Sequence, residues 1–140
     1  MLFTKSVLVE TDHTKSSPNV QVIKIAHGVI TWVSVFYPAG CHNQVHCVIL
    51  HHEHQIAPST EGMSIVGDAR PVEWNEYYES YQPPYELKLI LWGVDCAYDH
   101  NVTVRVAILP RKAVLALAIV DSIKNLFSLL FPRRLSIGDK

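Results

Sequence analysis

Residues 101–109 read NVTVRVAIL, and this stretch decides the fold class. Val102, Val104, Val106 and Ile108 fall on one face of an extended chain, because successive side chains of a β-strand point to opposite faces. The intervening residues are more polar. The alternation therefore predicts a strand that turns one face toward a hydrophobic core.

The preceding segment YELKLILW extends the pattern upstream. Tyr85, Leu87, Leu89 and Leu91 share one face, whereas the other face begins with charged residues and ends with Ile90 and Trp92. A strand that is half-exposed at its start and apolar on both faces at its end is typical of a central sandwich strand beneath a neighbour.

Turn residues divide the rest of the first 110 positions into short runs rich in Val, Ile, Trp, Tyr and Thr. This spacing predicts a mainly β protein, an antiparallel β-sandwich of about eight strands in a jelly-roll-like arrangement, with one C-terminal α-helix. His27-Gly28 is predicted to form a tight hairpin turn. The expected strands are 3–10, 19–26, 29–37, 44–51, 62–66, 71–79, 85–93 and 101–109.

After Pro110 the pattern changes to RKAVLALAIVDSIKNLFSLLF, which has no internal Gly or Pro and stops at Pro132. Good helix formers without breakers predict one helix. We therefore expect a β-sandwich domain over 1–110, an apolar helix over 111–132 and a short tail over 133–140.

The first half of this helix, 113–120, is apolar all round, and its second half carries a polar stripe of Asp121, Lys124, Asn125 and Ser128. A helix packed on its own sheet needs only one apolar face, so a second covering is implied. We expect that covering to be other copies of the chain or a partner. A transmembrane helix ranks second, because Asp121 and Lys124 would each cost ~2.5–3.5 kcal/mol at its centre. The expected assembly interface is Val114, Leu115, Leu117, Ala118, Ile119, Leu126, Phe127 and Leu130.

Composition excludes the usual footprint of a nucleic-acid-binding protein, because 12 basic residues face 13 acidic ones. Three cysteines without a CxxC pair predict buried thiols and no disulfide framework. The N-terminus lacks a continuous apolar signal-peptide core, so export by that route is not expected. GxSxG, Walker, GxGxxG and HExxH motifs are missing from the sequence, which gives no support to the enzyme classes that they mark.

The histidine-rich stretch CHNQVHCVILHHEH, residues 41–54, holds the largest group of candidate metal ligands in the sequence. Imidazole is a common metal ligand, and a cupin-like metal enzyme would use His46, His52 and His54 with Glu53 or Glu61. The cupin spacing holds only from Gly40 to His46 and then fails. We therefore expect ordinary polar histidines and no cofactor, with the metal site as the alternative.

A second candidate surface is RPVEWNEYYESYQPPY, residues 70–85, where aromatic residues alternate with glutamates. Aromatic faces bordered by carboxylates can stack on sugar rings, and aromatic residues are also enriched at protein interfaces. The candidate contact residues are Trp74, Tyr77, Tyr78 and Tyr81. Core packing, a protein interface and a carbohydrate-binding module all remain open for them.

Two stretches, WVSVFYPAGCHNQVHCVIL and PPYELKLILWGVDCAYDHNVTVRVAILPR, resemble small accessory β-sandwich proteins encoded among the structural genes of tailed viruses. The shared pattern is an aromatic-rich strand, a Pro-Pro-Tyr turn, a Trp-x-x-Asp strand end, a Tyr-x-His turn and a Val-Thr-Val-Arg-Val strand. The resemblance implies a non-enzymatic virion component of the decoration, cement or fibre-like kind, bound to other virion proteins. It also implies a homo-oligomer, for example a trimer. A cytoplasmic location is the alternative.

Overall fold

A computed structural model of the protein describes residues 1–131. The chain forms a mainly β, two-sheet sandwich followed by one C-terminal helix, which confirms the predicted fold class. The elements are β1 (Leu2–Val9), β2 (Asn19–Lys24), β3 (Gly28–Phe36), β4 (Val45–His51), β5 (His54–Ala57), β6 (Pro71–Ser80), β7 (Glu86–Gly93), β8 (His100–Leu109) and α1 (Arg111–Leu130).

The strands form two four-stranded sheets with the orders β1-β8-β3-β6 and β2-β7-β4-β5. All neighbouring strands are antiparallel. The first strand therefore pairs with the last, the second with the seventh, the third with the sixth and the fourth with the fifth. These nested pairs form one long antiparallel ribbon that is folded into two sheets, which is the jelly-roll arrangement.

The core lies between the two sheets and follows the predicted alternation. Val102, Val104, Val106 and Ile108 are all fully buried. Leu87, Leu89 and Leu91 of β7 are fully buried as well, and β7 lies between β2 and β4, as predicted for a central strand. Burial of each such side chain contributes roughly 1.5–3 kcal/mol. The sandwich is therefore stabilised by its own strands.

The predicted strand 62–66 is wrong. The fifth strand is His54–Ala57, which pairs with β4 after a two-residue turn. Ile65 makes only an isolated bridge to Cys47, farther along the same edge of β4. The short β5 was missed because its sequence, HQIA, has too few residues to show an alternation.

The predicted hairpin at His27-Gly28 is also wrong, because β2 and β3 belong to different sheets. The segment crosses from one sheet to the other at the end of β8. A Cβ atom on Gly28 would lie 2.4 Å from the carbonyl oxygen of Leu109. The glycine is required by this close approach of two backbones and not by a primed hairpin turn.

The helix begins at Arg111, directly after Pro110, and ends at Leu130, close to the predicted bounds. None of its residues is buried, and only Ala113 and Val114 are half-buried. Near its start the helix contacts β3 and the ring of Tyr81. The helix therefore extends away from the β-sandwich, and the predicted tail over 133–140 lies outside the described residues.

Candidate functional site

The antiparallel order places the connections between strands at two ends of the sandwich. The connections 25–27, 52–53 and 81–85 lie at the end where α1 begins, which we call the helix end. The opposite end, which we call the far end, holds the longer connections 10–18, 37–44, 58–70 and 94–99. The two ends differ in chemistry.

At the helix end, three rings and a guanidinium group form a collar around the base of the helix. His27 stacks on Tyr81 with ring centroids 5.2 Å apart, and Tyr85 meets His27 edge-on at 5.7 Å. The guanidinium carbon of Arg111 lies 5.1 Å from the centroid of the Tyr81 ring. We call His27, Tyr81, Tyr85 and Arg111 the helix-end collar. Sequence reasoning missed it, because its members come from three separate segments.

A small cleft of about 280 Å³ opens beside the collar. His51 is buried in its wall, shares a hydrogen bond between its Nδ1 and the Tyr78 hydroxyl at 2.9 Å, and stacks on His52 at 3.9 Å. Its Nε2 atom has no hydrogen-bond partner within residues 1–131. Burial, together with the neighbouring His52, lowers the pKa of His51. The ring is therefore held in its neutral form.

The three histidines weighed as metal ligands point to different places. His46 lies on the outer face of β4, where its Nδ1 is 2.7 Å from the Ser64 hydroxyl and its ring stacks on Trp92. His52 lies in the β4–β5 turn at the helix end, and His54 is exposed at the start of β5. Within the described chain, these three do not come together as a ligand set.

The carboxylates weighed with them are also dispersed. Glu53 forms an ion pair with Lys88, and Glu61 is exposed in the 58–70 connection. Within residues 1–131, the group that does bring metal-binding atoms within 4.8 Å of one another is Glu10, Asp12 and His13. The His13 Nδ1 atom of that group accepts a hydrogen bond from the Glu10 backbone N–H, so it offers no free lone pair.

The aromatic residues of β6 do not form one platform. Trp74 and Tyr78 point inward and pack against the core, and the Trp74 indole N–H donates to Glu76 at 3.0 Å. Tyr77 points outward and is 62% exposed. Tyr81 belongs to the helix-end collar. A sugar ring therefore could not stack on Trp74, Tyr77 and Tyr81 together.

All three cysteines are free thiols. Cys41 and Cys47 are fully buried, as predicted, but Cys96 is only half-buried, so the prediction of burial is wrong for it. Burial raises the pKa of Cys41 to about 11 and that of Cys47 to about 12. Both thiols therefore stay protonated at neutral pH, and a protonated thiol is a poor nucleophile and a poor metal ligand.

At the far end, the β3–β4 connection is held in a fixed shape. His42 and Asn43 adopt positive φ angles of 47° and 59°. The Asp68 carboxylate accepts a hydrogen bond from the Gly40 N–H at 3.0 Å and lies 3.5 Å from the His42 ring. Hydrogen bonds from the His42 and Gly40 backbone lower the pKa of Asp68. A cavity of about 400 Å³ beside this loop reaches the 94–99 connection.

Rows of side chains from neighbouring strands cross the outer faces of the two sheets. A row of apolar side chains crosses the outer face of β2-β7-β4-β5, and Val20 in this row is 46% exposed. It consists of Val20, Ile90 and Val48. On β1-β8-β3-β6, a polar row of Thr4, Arg105, Ser34 and Glu73 lies beside an apolar row of Leu2, Ala107 and Trp32. The sheet β2-β7-β4-β5 offers an apolar row on its outer face, which the apolar second face of β7 already indicates in the sequence.

The helical period divides the predicted assembly interface into two faces. Val114, Leu117 and Ala118 lie in line with Asp121 and the other residues of the polar stripe, spaced three and four apart. We call this side the stripe face. The remaining members lie on the opposite face, which is apolar from residue 113 onward, and are all exposed. They are Leu115, Ile119, Leu126, Phe127 and Leu130.

The surfaces of the described residues are thus an exposed apolar helix with a cationic and aromatic collar at its base, an apolar sheet face and a set of structured far-end loops. Comparison with protein-family models, with curated proteins and with solved structures finds no match to the chain.

Proposed function

We propose that this chain is a non-enzymatic structural protein, a virion component of the decoration, cement or fibre-like kind, that assembles as a homo-oligomer through its C-terminal helix. The observation that carries the proposal is a helix of 20 residues, rich in Leu, Ile, Val and Phe, that buries none of them. The sandwich has a complete core without it. The apolar surface of the helix is therefore available for contacts outside the chain.

The size of this surface supports an assembly role. Leu115, Leu117, Ile119, Leu126 and Phe127 are each more than half exposed. Contiguous apolar patches of this kind are rare on monomeric proteins and mark interaction sites. The apolar row on the outer face of β2-β7-β4-β5 gives neighbouring copies a second contact surface.

The two ends of the sandwich support a display role. The assembling helix leaves from one end, so the far-end connections face away from the assembly. The loop around Gly40 is held by Asp68 and is suited to present a constant surface. The buried thiols and the dispersed histidines support a structural reading of the residues that looked chemical in the sequence. The virion assignment rests on the sequence resemblance.

Sedimentation of the full chain in mild detergent, beside a shortened chain ending at Pro110, tests the proposal. The core cluster contains no residue of the helix, so the shortened chain keeps all that holds the sandwich together. We expect a discrete oligomer for the full chain and a smaller species for the shortened chain. A full-length chain that sediments as a monodisperse monomer would contradict the proposal.

A further inference from the structure

The distribution of polar and apolar residues around α1 indicates what surrounds it. A helix of a water-soluble bundle shows a limited apolar stripe to its partners and a wider polar surface to water. Here the proportion is reversed. The polar stripe is confined to the second half and to one side, and residues 113–120 are apolar all round. Exposure of most of this helix surface to water is therefore unfavourable.

The length of the helix matches the thickness of the hydrocarbon core of a lipid bilayer. Its 20 residues span about 30 Å. The hydrocarbon core of a bilayer is also about 30 Å thick. Soluble proteins do contain apolar helices of this length, but they bury them in a core, and secretory signal segments lie near the N-terminus. This helix is unburied and follows the last strand of the fold.

The residues that flank the helix have the chemistry of a membrane–water interface. Arg111 and Lys112 stand at its start, and the sequence places Arg133 and Arg134 just after Pro132. The helix-end collar adds Tyr81 at the base, with its ring against the Arg111 guanidinium group. Tyrosine and long cationic side chains are enriched at the headgroup level, where an apolar stem and a polar tip are both accommodated.

The polar groups within the helix are arranged as in helices that meet inside a bilayer. The Ser122 hydroxyl donates to the Ala118 carbonyl at 3.0 Å, and the Ser128 hydroxyl donates to the Asn125 carbonyl at 2.7 Å. Such bonds satisfy hydroxyl groups without water. Asp121 and Lys124 lie on the stripe face, and charged residues of membrane helices face other helices and not lipid.

We infer that α1 is a transmembrane anchor, whose stripe face meets other copies of the helix and whose apolar face contacts lipid. This inference rests on the proposed function for the contact between copies, confines that contact to the stripe face, and assigns the exposed apolar face of the helix to a second partner, a lipid bilayer. The sandwich then stands on the membrane on its helix end, with the far-end loops directed away from the surface.

Flotation of the full chain with neutral phosphatidylcholine vesicles tests the inference. High salt is included, because it screens adsorption through the flanking cations. We expect the full chain to rise with the vesicles and to stay bound after an alkaline wash, whereas the chain ending at Pro110 remains in the dense fraction. Full-length protein that stays soluble without lipid or detergent and does not float would overturn the inference.

A matched pair of variants tests which face contacts lipid. Ile119→Lys places a charge on the apolar face and is expected to reduce the vesicle partition coefficient by about a hundredfold. Leu117→Lys makes the matching apolar-to-lysine change on the stripe face, four positions before Asp121, with which the new lysine can pair. We expect a much smaller reduction for it. Equal effects of the two variants would contradict the lipid-facing assignment.

The two proposals fail in different ways. A discrete oligomer in water that ignores vesicles would overturn the bilayer inference and leave the assembly proposal standing. A chain that floats with vesicles but sediments in detergent as a monomer would overturn the assembly through the helix and leave the anchor standing.

Discussion

Removal of α1 should leave the sandwich almost as stable as it is in the full chain. The helix touches the sandwich only near its first turn, where Ala113 and Val114 are half-buried. Partial burial of two small side chains contributes about 1 kcal/mol. The contact of Arg111 with the Tyr81 ring, at 5.1 Å, adds about 0.5–1 kcal/mol for an exposed cation–π pair. We therefore expect the chain ending at Pro110 to lose about 1–2 kcal/mol in its free energy of unfolding.

Urea denaturation followed by tryptophan fluorescence measures this loss, with both chains in the same mild detergent. All three tryptophans lie in the sandwich, on β3, β6 and β7, so they report on its unfolding and not on the helix. Leu89→Ala provides the scale, because truncation of a fully buried leucine typically costs about 2–5 kcal/mol. A shortened chain that is destabilised as much as Leu89→Ala, or that fails to fold, would refute the view that the helix serves contacts outside the chain.

Three further predictions concern the sandwich itself. Gly28→Ala should lower the free energy of unfolding by about 2–3 kcal/mol, because its Cβ would lie 2.4 Å from a backbone oxygen. Gly62 has a positive φ but open space around it, so Gly62→Ala should cost only about 1 kcal/mol. Equal effects of the two variants would contradict the described crossover. Burial lowers the pKa values of His46 and His51, so the unfolded chain binds more protons below its own histidine pKa of about 6.5. The contribution of these two histidines to the free energy of unfolding should therefore be fully present above that pH and decrease as the pH drops toward the lowered folded-state pKa values. The double variant His46→Gln, His51→Gln should flatten the dependence of the unfolding free energy on pH. An unchanged dependence would count against neutral rings at these two positions. In the native state a thiol reagent should modify Cys96, which is partly exposed, well before the two fully buried thiols, and simultaneous labelling of all three would contradict the described packing.

Asp121 and Lys124 are the two charged residues within the second half of α1. In the sequence they count against a membrane span, because each charge is costly at the centre of a single helix. In the structure they share a face with Val114 and Leu117, and this face is distinct from the exposed apolar one. The free-energy cost of placing these charges in a bilayer is high for one isolated helix. It is reduced when several helices turn their stripe faces toward each other, because the charged side chains then face other helices and not lipid.

Local patterns in the sequence determined the strongest strands and the helix. The alternation in NVTVRVAIL and YELKLILW depends only on the two faces of an extended chain, and burial along β8 and β7 follows it. The helix bounds followed from Pro110, Pro132 and the good helix formers between them. The number of strands and the jelly-roll arrangement were also predicted from spacing.

Tertiary structure alone decided how the strands pair and which side chains meet. The turn at Gly28 looks like a hairpin in sequence, but its shape is set by Leu109, more than 80 positions away. The helix-end collar joins His27, Tyr81 and Arg111, which no local period connects. Periodicity reports which face of an element is apolar, whereas contacts between elements depend on pairing across the whole chain. For the same reason the sequence shows that α1 is apolar, and only the completed core shows that the sandwich does not cover it.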